Sequence, residues 1–168
     1  MLIGLNSALP TAPLLAGGRL GGQQLARLEA ILSSERESGR IRIVMLHHPV
    51  ADRAVSARKA LADRGDLRAV LRRQGAELVL HGHARDARLD AIESPDGPIP
   101  CVCVPSSSAV PNPRDEGARW HWLQLPSPGG PDLAEVRVRQ WSVAEEAFID
   151  AASYQLCLPR SASGSHKA

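Results

Sequence analysis

Two short apolar segments, each ending in histidines, constrain this chain more than any other feature. Residues 41–46 (IRIVML) run into the tripeptide HHP, and residues 77–80 (ELVL) run into HGH. Runs of this length and composition are typical of buried parallel strands. In open α/β sheets, functional sites lie beyond the carboxyl ends of such strands. The sequence therefore predicts that the two histidine clusters meet at one edge of a sheet.

Around these segments the sequence predicts alternating strands and helices, followed by hairpins. Residues 2–5 form a first strand, and residues 23–37 carry a helical apolar face that ends at Gly39. A second helix starts at Asp66, a good N-cap, and ends at Gly75. We therefore expect an α/β fold of βαβ units with a parallel sheet, followed by antiparallel hairpins. The hairpin strands are predicted over 88–93, 99–104, 119–125 and 133–143, with a last strand over 154–158.

The composition limits the class of protein. Apolar residues make up 43% and charged residues 23% of the 168 residues, which is enough for one folded domain. A net charge of +2 is too small to indicate nucleic acid binding, no apolar run is long enough to span a membrane, and no secretory signal pattern is visible. Three cysteines without framework spacing favour a cytoplasmic protein. We expect one domain over residues 1–159 and a flexible tail over 160–168.

The histidine segments resemble the second half of the calcineurin-like metallophosphoesterases. That family has a strand-end His, often within His-His-Pro-Pro, and then a helix, a strand and Gly-His-x-His; the resemblance covers residues 1 to about 125. It implies the family's α/β-sandwich and two metal ions, Mn, Fe or Zn, that activate a bridging water for attack on a phosphate mono- or diester. In this resemblance, His47 and His83 correspond to two ligands of the same metal ion.

The resemblance is incomplete in ways that bear on activity. The second His of Gly-His-x-His falls on Arg85, whose guanidinium cannot ligate a cation. The family's N-terminal motifs, Asp-x-His, Gly-Asp-x-x-Asp and Gly-Asn-His, have no counterpart, and a strand is predicted directly after Met1. We therefore expect a partial sandwich that lacks the N-terminal half of the fold, and a metal site that is incomplete.

Three further residues are predicted to contact substrate or to support the ligands. His48 orients substrate, or donates a hydrogen bond that supports a metal ligand, or holds the turn, and His81 either contacts substrate or supports the metal loop. Arg85 either binds phosphate through both ends of its guanidinium or lies exposed without a role. No residue of the chain is assigned a catalytic role.

Two functions are consistent with these patterns. The first is a metal-dependent phosphoesterase that is inactive alone and that acts on a phosphoester only when another polypeptide completes its metal site. The second is a non-catalytic remnant or interaction module, which self-associates or binds the missing N-terminal half through an uncovered sheet edge.

Other conspicuous residues are predicted to be structural. Cys101 and Cys103 share one face of a strand and are expected to be small buried side chains rather than metal ligands. Trp120 and Trp122 also share a face and are expected to pack in the core rather than to form a stacking platform. The arginines of residues 53–73 are interleaved with aspartates and indicate a solvated helix surface.

Overall fold

A mixed sheet of five strands lies at the centre of the fold. The structure is a computed structural model, which describes residues 1–10, 16–51, 54–110, 112, 117–127 and 130–159. The strands are β1 (Leu2–Gly4), β2 (Ile43–Met45), β3 (Leu78–His81), β4 (Arg88–Ile92) and β5 (Ile99–Cys103). Their order is β1-β2-β3-β5-β4, and all neighbours are parallel except β4 and β5. The predicted α/β class, parallel units and first hairpin are confirmed.

Two helices cover one face of this sheet. They are α1 (Gly22–Ser34) and α2 (Arg64–Gln74), and each buries one apolar stripe at helical spacing. These stripes pack with Val44 and Val79 of the central strands in one apolar core. The buried helical side chains are Leu25, Leu28, Leu32, Leu67, Val70 and Leu71.

The helix ends differ in part from the predictions. Helix α1 ends at Ser34 rather than near Gly39, because the Ser38 hydroxyl donates a 2.8 Å hydrogen bond to the carbonyl of Glu35 and closes a turn there. Helix α2 begins before the predicted N-cap Asp66, and its N-cap is Asp63. The Asp63 carboxylate accepts hydrogen bonds from the backbone of residues 20–21 instead of capping its own helix. The predicted end at Gly75 is confirmed.

A second, antiparallel sheet covers the opposite face. It consists of β6 (Arg119–Gln124), β7 (Leu133–Ser142) and β8 (Ala147–Cys157), in that order. Strand β8 is longer than predicted because it pairs with β7 along its whole length. Val136 and Leu156 pack against Ile43, Leu78 and Val102 in a second apolar core. The chain is therefore layered as helices, mixed sheet and antiparallel sheet.

The prediction that Trp120 and Trp122 pack in the core is wrong. Both indoles lie on the outer face of the second sheet, where they are 40% and 43% exposed. The guanidinium of Arg137 lies over the Trp122 ring at 5.0 Å, and that of Arg139 lies over the Trp120 ring at 5.9 Å. These cation–π contacts cover the rings without burying them. His121, between the two tryptophans, faces inward instead.

Cys101 and Cys103 are buried as predicted. Burial raises the pKa of Cys101 to about 12 and that of Cys103 to about 11, so both thiols stay protonated at neutral pH. A protonated thiol is a poor metal ligand. These side chains therefore act as small apolar residues of the sheet.

A buried ion pair joins the first residues of the central strands to the helices. Arg42 and Glu77 are 1% and 4% exposed, and Nη2 of Arg42 lies 2.7 Å from Oε1 of Glu77. The same guanidinium donates to the carbonyls of Leu32 in α1 and Gln74 in α2 through Nη1. The pair therefore satisfies terminal carbonyls of both helices at one point.

Some predictions concern residues outside the described part of the chain. They include the flexible tail over 160–168 and part of the arginine-rich segment, Asp52 and Arg53. The domain boundaries and the missing N-terminal half stay predictions. Among the described residues, no helix combines the length and the apolar character needed to cross a membrane.

Candidate functional site

Parallel pairing brings the two histidine segments together. Met45 at the end of β2 lies opposite Leu80 in β3, so the segments that follow these residues leave the sheet side by side. Beyond the strands, the backbone N–H of Gly82 donates to the carbonyl of His47 at 3.1 Å. The ladder of the sheet therefore fixes the distance between the two clusters.

Three imidazole rings meet at this edge. Nε2 of His47 lies 2.9 Å from Nδ1 of His83, and the two ring centroids are 4.7 Å apart. The ring of His48 lies 5.1 Å from that of His47 and 4.7 Å from that of His83. The expected meeting of His47 and His83 is thus observed. Their role as metal ligands stays a prediction.

Both ring nitrogens of His48 are occupied by neighbours. Nδ1 lies 2.8 Å from the Ser7 hydroxyl, and Nε2 lies 3.1 Å from the carbonyl of Ala16. This pattern assigns a neutral ring in which Nε2–H donates to Ala16 and Nδ1 accepts from Ser7. Burial lowers the pKa of His48, which favours the same neutral form. Of the predicted roles, the geometry supports the structural one, holding the loop.

Gly18 makes room for the His48 ring, and replacing it with alanine is expected to lower the free energy of unfolding by about 1–3 kcal/mol. An added Cβ would overlap the His48 ring and lie 2.6 Å from the carbonyl oxygen of Ser7. Urea denaturation measures the effect. The matched control is Gly22→Ala, because a Cβ there meets nothing within 4 Å. Equal stability of the two variants would contradict the close packing of Gly18.

His81 differs from His47, His48 and His83 in its surroundings. It is 6% exposed at the end of β3, and its Nδ1 lies 3.4 Å from the carbonyl of Gly82, at the long limit for a hydrogen bond. Burial lowers the pKa of His81. Among the described residues, its Nε2 has no hydrogen-bond partner. His81 does not line the cavity described next, and its role as a support of the loop stays a prediction.

A cavity of about 700 Å³ opens beside His47 and His83. Lys59 and Arg85 line it, together with Ser106 and Ser107. In the described part of the chain, no carboxylate lines this cavity. The size is that of a small-molecule site, and the charge is that of an anion site.

Lys59, Ser106 and Ser107 were not predicted as site residues, although the sequence contains a pattern that indicates the two serines. Ser106 and Ser107 follow β5, which is parallel to β3 and ends at the same edge of the sheet. The rule that indicated the histidines therefore applies to the serines as well. Lys59 comes from a short 3-10 helix, Ala57–Lys59, and no pattern in the sequence indicates where that helix lies.

The loop that carries His83 and Arg85 has an unusual backbone. His83 has φ 67° and Arg85 has φ 63°, in the left-handed region that costs a non-glycine residue about 1–3 kcal/mol. Gly82, between His81 and His83, does not have a positive φ, and a Cβ there would meet only ordinary contacts at 3.8 Å or more. The positive φ values therefore occur at His83 and Arg85, and both of these residues line the cavity.

The potential around His83 is positive. Burial lowers the pKa of His83 to about 4, with further lowering by His48, His47 and Lys59 and a smaller opposing effect of the Ala16 carbonyl. The ring is therefore neutral at physiological pH. A bound anion would be favoured beside this ring, because it would offset the positive charge of Lys59.

The donor set does not fit a divalent metal ion. The cavity offers two imidazoles and two cationic side chains, and the described residues contain no group of three His, Cys, Asp or Glu side chains placed so that they could hold a metal ion. The 2.9 Å between the two ring nitrogens fits a hydrogen bond, whereas two nitrogen ligands of a tetrahedral metal ion are about 3.3 Å apart. Among the described residues, metal ligation by His47 and His83 therefore lacks the balancing carboxylates.

The lowered pKa of His83 predicts acid destabilisation. Below its unfolded pKa of about 6.5 the unfolded chain takes up a proton that the folded ring takes up only near its own pKa of about 4. Stability is therefore full above about pH 6.5 and falls as the pH drops toward 4. We expect His83→Gln to reduce this fall by about 1 kcal/mol, allowing for the partial exposure of the ring. Denaturation curves at several pH values measure it, and an unchanged fall would contradict the assignment.

Comparisons with known proteins add little to this description. No protein-family model matches the sequence, and no curated protein sequence matches it. The fold is similar to a crystal structure of a Vps29 double mutant from Entamoeba histolytica, with a TM-score of 0.40, 10% identity, and coverage of 92% of this chain and 97% of that chain. A single mutant of the same protein gives a TM-score of 0.33, 10% identity, and coverage of 92% and 98%. Similarity at this level supports no conclusion about function.

Proposed function

We propose that this chain binds the phosphate group of a phosphorylated ligand in the cavity beside His47 and His83, and that it does not hydrolyse the ester. The observation that carries the proposal is the lining of the cavity, where Lys59 and Arg85 accompany two imidazoles and no described carboxylate is present. The resemblance to metallophosphoesterases supports a phosphate ligand. In this reading the guanidinium of Arg85 supplies positive charge where the family uses a metal ion.

Binding without hydrolysis follows from the chemistry of the lining side chains. Hydrolysis of a phosphate ester needs an activated water and neutralisation of charge on the leaving oxygen. Lys59 and Arg85 can neutralise phosphate oxygens, and the two serine hydroxyls can donate hydrogen bonds to them. Within the described ranges of the chain, the lining holds no carboxylate that could orient a water as a general base.

Isothermal titration with phenyl phosphate tests the proposal. We expect saturable binding in the presence of EDTA, and no tightening when manganese replaces EDTA. The control is a His47→Ala, His83→Ala double variant, which is expected to bind more weakly while it keeps its fold. Binding that appears only with manganese, or no binding at all, would overturn the proposal.

The chain is also expected to be inactive as a phosphodiesterase. With added manganese, it should hydrolyse bis-para-nitrophenyl phosphate no faster than the His47→Ala, His83→Ala variant, because no bridging carboxylate is available among the described residues. Elemental analysis after desalting should find less than one equivalent of metal per chain. Metal-dependent turnover, or two equivalents of bound metal, would contradict this expectation.

A second candidate function, pairing with another polypeptide, is favoured by strand β1. It is the edge strand of the mixed sheet, with Leu2 68% exposed and the neighbouring Met45 40% exposed on the same face. A strand added parallel to β1 would end at the same edge of the sheet as β2 and could bring carboxylates toward the site. We expect self-association that Leu2→Glu abolishes in sedimentation equilibrium. A wild-type chain that stays monomeric at all concentrations would contradict self-association.

A further inference from the structure

A second cavity lies between the two sheets, away from the histidine edge. Its volume is about 510 Å³, and it is bounded by β4 on one side and by the inner face of β6, β7 and β8 on the other. Val138 and Ala152 form part of its apolar surface, and Leu89, which is 56% exposed, lies at its boundary with solvent. Much of the wall is therefore apolar, and the cavity opens to solvent beside Leu89.

His121 points into this cavity with unsatisfied polar atoms. Both ring nitrogens are buried, and neither has a hydrogen-bond partner among the described residues. The Tyr154 ring contacts the imidazole edge-on, with a centroid distance of 6.4 Å. Buried polar groups in folded proteins almost always have partners, because an unpaired one costs about 1–3 kcal/mol. A ligand with a hydrogen-bonding group at this position would remove that cost.

The charged residues that line the cavity indicate the sign of the charge that such a ligand would carry. Arg88 and Arg119 are among the residues that line it, and no carboxylate does so in the part of the chain that the structure describes. Arg119 donates a 3.2 Å hydrogen bond from its Nε to the side-chain oxygen of Gln140, whereas Arg88 pairs with Asp86 at 2.6 Å. Because Asp86 offsets the charge of Arg88, Arg119 is the guanidinium that would recognise a bound carboxylate.

From these observations we propose that the cavity between the sheets binds a small organic carboxylate with an apolar body. The apolar part contacts Leu89, Val138 and Ala152, and the carboxylate accepts hydrogen bonds from Arg119 and His121. This site shares no residue with the cavity beside His47, so the proposal does not rest on phosphate binding there.

Titration of the full chain with para-methylbenzoate, followed in amide NMR spectra, tests the proposal. We expect saturable shifts on β4, β6 and β8, and a shift of the His121 ring resonances. The neutral isostere para-methylbenzamide is expected to bind about tenfold more weakly, since it lacks the charge that the guanidinium recognises. Equal binding of acid and amide, or the absence of saturable binding, would overturn the proposal.

Two variants locate the binding groups. His121→Phe keeps a ring of similar shape without nitrogens, and it should weaken para-methylbenzoate binding about tenfold. Arg119→Gln should bring the acid and the amide to within about twofold of each other. The matched controls, Trp122→Phe and Arg137→Gln, change the outer face of the same sheet and should leave binding unchanged. If the NMR spectrum of His121→Phe loses its dispersion, the variant is unfolded and the wild type provides the test. The absence of a ligand-induced shift of the His121 ring resonances in the wild type would then contradict the proposal.

Discussion

Replacing Glu77 with glutamine is expected to lower the free energy of unfolding by about 3–5 kcal/mol, because it leaves the buried guanidinium of Arg42 without a counter-charge. The pair is almost wholly shielded from water, and both carboxylate oxygens of Glu77 accept hydrogen bonds from Arg42. A loss of this size is a large part of the total stability of a domain, about 5–15 kcal/mol. Urea or guanidinium denaturation measures it.

The position of the pair explains why the effect is expected to be global. Nη1 of Arg42 also donates to the carbonyls of Leu32 and Gln74, at 3.0 and 3.2 Å. Movement of the guanidinium toward water would remove this donor from both carbonyls, although the Gln74 carbonyl would keep a 3.1 Å hydrogen bond from Nη1 of Arg36. Both helices and the first residues of β2 and β3 are therefore linked through one side chain.

Two controls separate the buried charge from loss of charge in general. Glu135→Gln breaks the exposed pair with Arg137 and should cost less than about 1 kcal/mol. An Arg42→Met, Glu77→Leu double variant removes both charges and should recover much of the stability that the single change loses. If Glu77→Gln costs no more than Glu135→Gln, the ion pair does not hold the helices as described.

The second large effect is expected on ligand binding. A Lys59→Gln, Arg85→Gln double variant should weaken phenyl phosphate binding about 100-fold, because each charge-assisted hydrogen bond contributes about 1.5–3 kcal/mol. Each single variant should weaken binding about tenfold. Both side chains line the cavity beside His83, which supports their contact with a bound phosphate. Isothermal titration at constant ionic strength measures the affinities.

The neighbouring residue Arg58 provides the matched control. It lies in the same short helix as Lys59 but does not line this cavity, so Arg58→Gln should leave the affinity unchanged. Circular dichroism checks that each variant keeps its fold. Equal weakening by Arg58→Gln would indicate a general effect of net charge and would contradict a defined contact at Lys59 and Arg85.

The sequence carried enough information to predict the strands and the meeting of His47 with His83. Apolar runs that end in polar side chains mark the carboxyl ends of buried parallel strands, and these ends lie at one edge of a sheet. The prediction works because a local run of apolar residues indicates that a strand is buried, and the polar residues after it indicate where its carboxyl end lies. No long-range contact has to be known in advance.

Features that depend on packing between distant segments were not predictable in the same way. The alternation in β6 places Trp120 and Trp122 on one face and His121 on the other, but it does not say which face is buried. Arg42 and Glu77 are 35 positions apart, and no local pattern in the sequence indicates that their side chains form an ion pair. Lys59 reaches the cavity from a short helix whose position depends on contacts far along the chain.

A crystal structure of the chain grown with phenyl phosphate and EDTA tests the central claim most directly. The account predicts a phosphate group within hydrogen-bonding distance of Lys59, Arg85 and at least one of His47 and His83, with the ester bond intact. A phosphate bound elsewhere would contradict it. So would a matched crystal with manganese in which both imidazoles coordinate a metal ion and the phosphate binds only through that ion.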